Sequence, residues 1–104
     1  MKLQWSGAWC AVLLMVGIAT PAVAQDPNAA RALAATCFTC HGTEGRSVGG
    51  VPPSLAGQGK AYLYQQLKDF KDGKRSGTIM HQHAKGYTDA QLEQIAGYFA
   101  AVSP

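Results

Sequence analysis

The sequence predicts an all-α fold, and three observations predict it. Three segments place apolar residues at helical spacing and carry helix start or stop signals. No run of alternating β-branched residues lies near the most distinctive stretch of the chain. That stretch, Cys37-Phe38-Thr39-Cys40-His41, is the third observation. Two thiols three positions apart on one helical turn can both reach the vinyl groups of one porphyrin, and the adjacent imidazole then stands beneath the iron. The expectation is three main helices, with loops wrapped around one covalently attached haem c.

A bare C-x-x-C also suits a thioredoxin-like redox pair or half of a zinc site. Structural zinc wants four nitrogen or sulfur ligands, and the segment after residue 24 has no second cysteine pair. The thioredoxin reading needs a βαβ context that the surrounding residues do not offer.

Residues 1–24 read as a cleaved secretory signal peptide. Lys2 supplies a positive start, Ala8 to Ala19 is apolar, and Ala22-Val23-Ala24 is a small-residue cleavage pattern before Gln25. The apolar run falls short of the roughly 20 residues that a membrane span needs. An uncleaved anchor is the alternative. A lipidated cysteine is disfavoured, since the apolar run follows Cys10 where lipidation needs it before. Residues 25–104 then form a single monohaem domain, periplasmic and without a membrane span. Cys10, Trp5 and Trp9 leave with the leader, so Cys37 and Cys40 are the cysteines that remain.

So small a core is marginal without a staple, and here the porphyrin is the staple. The apoprotein should therefore be largely unfolded. The full chain carries nine basic and six acidic residues; Lys2 departs with the leader, and two haem propionates would cancel the remaining excess. No basic stripe is dense enough for a phosphate backbone, which disfavours nucleic acid.

The first helix begins with Asp26 as N-cap and Pro27 at the first helical position, and its expected apolar stripe is Ala29, Ala30, Leu33 and Cys37. Gly42 to Pro53 reads as a long glycine-rich loop around the cofactor. Pro52 or Pro53 could turn a fixed carbonyl toward the other ring nitrogen of His41 and set its tautomer. A second helix is expected from Lys60 to Asp72, with Leu63, Leu67 and Phe70 on one face and Gly73 as its stop. Lys60, Lys68, Lys71, Lys74 and Arg75 cluster in and just after it, against Asp69 and Asp72. They make a solvated face, or else a basic rim for propionates or an acidic partner, with Arg75 the best single candidate. Ser76 to Tyr87 shows no periodicity. The last helix starts at a Thr88/Gln91 capping box, and its stripe is Leu92, Ile95, Ala96, Phe99 and Val102, flanked by Tyr98.

Function turns on the sixth ligand. Iron held by His41 alone is open to oxygen or carbon monoxide, whereas iron held on both faces only passes electrons. Met80, His81 and His83 compete within one segment. A thioether raises the potential and a second imidazole lowers it.

Several further segments carry a resemblance: Pro53-Ser54-Leu55-Ala56-Gly57-Gln58 after the attachment site, Phe70-Lys71-Asp72-Gly73 closing a helix, and a methionine segment before a helix that ends in Gly97-Tyr98-Phe99. Together they resemble the class I c-type cytochromes of bacteria. More narrowly, Ser47-Val48-Gly49, Thr78-Ile79-Met80 and Ala84-Lys85-Gly86-Tyr87 resemble the haem domain of the cytochrome subunit of flavocytochrome c sulfide dehydrogenase. The resemblance covers essentially all of residues 25–104. It implies a small class I cytochrome c fold and Met80 as sixth ligand, with His81 and His83 at the surface.

It further implies electron transfer without catalysis by this chain. Electrons would come from an FAD flavoprotein subunit that oxidises sulfide, or from another redox protein, and pass to an acceptor. A free soluble cytochrome c shuttle is the first competing reading. An open-haem enzyme or gas sensor is the second.

Overall fold

The computed structural model describes Gly17 and residues 26–104. Apart from Gly17, the leader therefore lies outside the described residues. Among these, four helices and no strand form: α1 (Pro27–His41), α2 (Lys60–Lys71), α3 (Met80–Lys85) and α4 (Asp89–Ala101), with a 3₁₀ turn at Thr43–Gly45. α4 packs against α1 and α2, and α3 packs against α2.

α1 starts where its side chains can satisfy the end of a helix. Asp26 Oδ1 accepts the Asn28 N–H at 2.9 Å, and Pro27 at the first position has no N–H to satisfy. The buried arc differs from the expected stripe. Ala29 is exposed, while Ala34 is fully buried with Leu33, Cys37 and Phe38 packed partly beneath it. The reason is where α4 lies: Ala34 belongs to one cluster with Ile95, Ala96 and Phe99, which centres the arc on Ala34, Phe38 and His41 at i, i+4 and i+7. Two alanines at this crossing keep the helices close.

α1 can end at His41 because residue 42 is glycine. Gly42 has φ +84°, and a Cβ there would stand 1.9 Å from the Arg46 carbonyl oxygen. Gly45, at φ +77°, lets the loop press on α4, since its Cβ would fall 2.7 Å from the Phe99 ring.

α2 ends at Lys71 with Asp72 as C-cap and Gly73 at φ +75°, the left-handed residue that commonly follows a helix. α4 has both halves of its capping box, with Gln91 N–H donating to Thr88 Oγ1 at 3.2 Å and Thr88 N–H donating to Gln91 Oε1 at 2.9 Å. Leu92, Ile95, Ala96 and Phe99 are buried, whereas Val102, expected to continue the stripe, is the extended, partly buried residue that follows the helix. Tyr98 reaches α1, its ring centroid 6.2 Å from that of Phe38, and Phe99 meets Phe38 edge-on at 6.1 Å.

The segment Ser76–Tyr87, expected to be irregular, contains α3. Six residues are too few for a 3.6-residue period to show, and no side chain caps the helix at Ile79. Tertiary contacts hold it instead. Ala84 is buried, Lys71 Nζ donates to the Tyr87 carbonyl at 2.7 Å, and the Thr36 and Tyr87 hydroxyls bond at 2.6 Å. Tyr87 thus ties the segment to α1 and α2 at once.

Part of the basic cluster is used inside the fold. Lys68 and Lys71 both bond Asp89 at the start of α4, at 3.0 and 2.9 Å. Hydrogen bonds from Lys71 first and Lys68 second hold the Asp89 carboxyl below its ordinary value, and the Asp89 bond raises Lys68. A carboxyl depressed in the folded state stabilises above its unfolded pKa and loses that stabilisation as pH falls through the folded one. The stability gap between the wild type and Asp89→Asn should therefore be present at neutral pH and close well below pH 3.8, as read from urea midpoints. A gap that stays constant over that range would show that the carboxylate charge does not tie α4 to α2.

Candidate haem site

α1 delivers Cys37, Cys40 and His41 to the wall of one cleft of about 370 Å³. α2 adds Leu63, Leu67 and Phe70, α3 adds Met80, and α4 closes the floor with Leu92, Ile95 and Phe99. The lining is mostly apolar, and the size lies within the usual range for cofactor clefts, roughly 300–1,000 Å³. All six residues singled out in the sequence, Cys37, Cys40, His41, Pro53, Arg75 and Met80, line this cleft.

His41 is 8% exposed, and its orientation is set from behind. Nδ1 donates to the Pro53 carbonyl oxygen at 2.6 Å. A carbonyl only accepts, so the proton sits on Nδ1 and the lone pair on Nε2 is left for a metal. Pro52 has a different task, since its carbonyl accepts the Ser47 hydroxyl. Of the two prolines, Pro53 is the one that holds the imidazole.

Neither Cys37 nor Cys40 is in a disulfide. Burial, partly offset by the Thr36 hydrogen bond, pushes the Cys37 thiol above its ordinary value. A reactive redox thiol needs the opposite, a depressed pKa in electropositive surroundings, so Cys37 lacks that character. Among the described residues no group of three His, Cys, Asp or Glu side chains gathers as a metal site of the zinc type.

Arg75 is exposed, and residues of the cleft wall hold it. Its Nη1 donates to Gln66 Oε1 at 2.5 Å, and its guanidinium lies 4.7 Å over the Phe70 ring. His81 is half-buried and does not line the cleft, whereas the exposed His83 does. Tyr62, Gln66 and Tyr87 also line it and were not singled out. Gln66 was legible from its place between Leu63 and Phe70 on one helix face. Tyr87 carried no local signal.

The residues fit a haem. A mostly apolar cleft is lined by two thiols on one helical turn, a buried imidazole of fixed tautomer, and a thioether on another wall. The Cytochrome c family model matches residues 28–103. The chain belongs to the cytochrome c family.

Relatives agree in kind. The chain is 45% identical over 71 residues to the cytochrome subunit of sulfide dehydrogenase from Chlorobaculum tepidum, covering 68% of this chain and 64% of that protein. It is 35% identical over 81 residues to cytochrome c-554(548) from Halomonas halodenitrificans, covering 75% of this chain and 98% of that one. Among solved structures it superposes on Acidithiobacillus ferrooxidans cytochrome c4 with a TM-score of 0.59 at 43% identity, over 64% of this chain and 38% of the other. The chain thus spans under two thirds of the sulfide dehydrogenase subunit and less than half of that cytochrome c4. Like its family, this cytochrome carries covalently bound haem c and serves electron transfer.

Proposed function

We propose that this cytochrome is a periplasmic electron carrier with six-coordinate iron, and that it serves as the cytochrome subunit of a sulfide dehydrogenase, receiving electrons from an FAD flavoprotein. One observation carries the electron-transfer reading: His41 and Met80 line the same cleft as the two attachment cysteines. With His41 and Met80 both holding the iron, no position on it would remain for a substrate.

The bound haem supplies a one-electron ferric/ferrous couple. The chain's residues determine how that couple is used. Cys37 and Cys40 fix the ring covalently on α1. His41 presents Nε2 while Pro53 holds the proton on Nδ1. Met80 offers a thioether, a ligand that favours ferrous iron and raises the potential. The apolar lining excludes water, which keeps the reorganisation cost of electron transfer low. Arg75, already oriented by Gln66 and Phe70, provides a guanidinium for a propionate.

The identity of the partner rests on the likeness to the sulfide dehydrogenase subunit. A free shuttle is the second reading, favoured by the Halomonas halodenitrificans cytochrome, which this chain spans almost end to end. Co-purification with a flavoprotein supports the subunit. A lone monomer that reduces a terminal oxidase supports the shuttle. For the site, the oxidised protein should show the sulfur-to-iron band at the red edge of its spectrum, and Met80→Ala should abolish it. Carbon monoxide binding to the reduced wild type at neutral pH would overturn Met80 ligation.

A further inference from the structure

We propose that His83 is a reserve axial ligand, which takes the iron whenever the Met80 thioether leaves it; this rests on the reading of Met80 as the resident ligand. Met80 and His83 stand three residues apart on α3, the spacing that puts two side chains on one helix face. Both line the haem cleft. His81, beside Met80 in sequence, does not. Helical geometry separates positions 80 and 83 by about 60° around the axis and about 4.5 Å along it, so a roll of a fraction of a turn exchanges one for the other.

α3 is built to permit that roll. It has six residues and no side-chain cap, and Ile79 before it is 54% exposed. Its far end is pinned, because Tyr87 is bonded to Lys71 and to Thr36. Ala84 at 1% exposure belongs to the same anchored end, so the movement falls to the uncapped first turn, which can shift about that anchor without leaving the cleft. His83 is exposed, so core packing does not commit its ring. The exchange breaks one iron–sulfur coordinate bond and forms one iron–nitrogen bond, with no change in electron count. Replacing a thioether with an imidazole lowers the potential and keeps the iron closed to small gases.

The test uses the haem-loaded protein and reads coordination rather than activity. Reduced and oxidised spectra, carbon monoxide binding and the midpoint potential are compared for the wild type, Met80→Ala, Met80→Ala/His83→Ala and Met80→Ala/His81→Ala. Met80→Ala should lose the sulfur band yet stay low-spin, refuse carbon monoxide and show a lower potential. Removing His83 as well should give high-spin iron that binds carbon monoxide, and added imidazole should restore the low-spin spectrum, which shows an intact cleft. Removing His81 instead should change nothing further. High-spin, carbon monoxide-binding iron in Met80→Ala alone would overturn the proposal, as would a low-spin double variant lacking His83. A wild type without the sulfur band would instead overturn the resident-ligand reading, which is a separate outcome.

Discussion

Replacing Phe99 with Ala should lower the unfolding free energy of the holoprotein by about 4 kcal/mol, near the middle of the range for buried Phe→Ala changes. The ring is 1% exposed. It meets Tyr98 edge-on at 5.3 Å and Phe38 at 6.1 Å, and it fills the space that the missing Cβ of Gly45 leaves open. It also lines the haem cleft, so truncation removes part of the cofactor's wall as well as a piece of core. Neighbours cannot readily collapse into the gap, because α1 and the 3₁₀ turn already press against it from two sides. Domains of this size have roughly 5–15 kcal/mol in total, and each kcal/mol moves the melting temperature by about 4–8 °C. A drop of tens of degrees in a thermal melt followed at the haem absorbance is the expected result. A loss below about 1.5 kcal/mol would mean that the ring is not the packing centre described here.

Preventing haem attachment should have the larger effect. In Cys37→Ala/Cys40→Ala, after extraction of any loosely held haem, the far-ultraviolet helix signal should be mostly lost and urea should produce no cooperative transition. The core explains why. Of the buried hydrophobic residues among those described, Ala34, Ala56, Ala84 and Ala96 are alanines, and only Leu63, Leu92, Ile95 and Phe99 are large. Much of the remaining apolar surface, from Leu67, Phe70 and Met80, lines the cleft. Without a porphyrin between them these side chains face water, and what remains is too little to offset the entropy of ordering the chain. A colourless polypeptide that melts cooperatively with native helix content would contradict this account.

The helices with side-chain punctuation were readable in the chain itself. Asp26-Pro27, Gly73 and the Thr88/Gln91 box mark boundaries through contacts within a few residues, so no tertiary information was needed to place the start of α1, the end of α2 or the start of α4. α3 was not readable, because its hydrogen-bonded turn is held by Lys71 and Thr36, which lie far from it in sequence. The same holds for the buried face of α1. Alanines at 29, 30 and 34 look alike in sequence, and only the position of α4 decides that Ala34 is covered and Ala29 is not.

What the residues determined alone is the chemistry: a C-x-x-C-H pentapeptide with its thiols on one helical turn, and a methionine before the last capped helix, both local patterns whose meaning survives unfolding. What the tertiary structure decided is assignment. It turned the carbonyl of Pro53 rather than Pro52 to His41, set Lys68 and Lys71 on Asp89 instead of leaving them to solvent, and put His83 but not His81 on the cleft wall. Each of these choices depends on which side of a helix or loop another element covers. That is a relation between residues distant in the chain, and local spacing does not encode it.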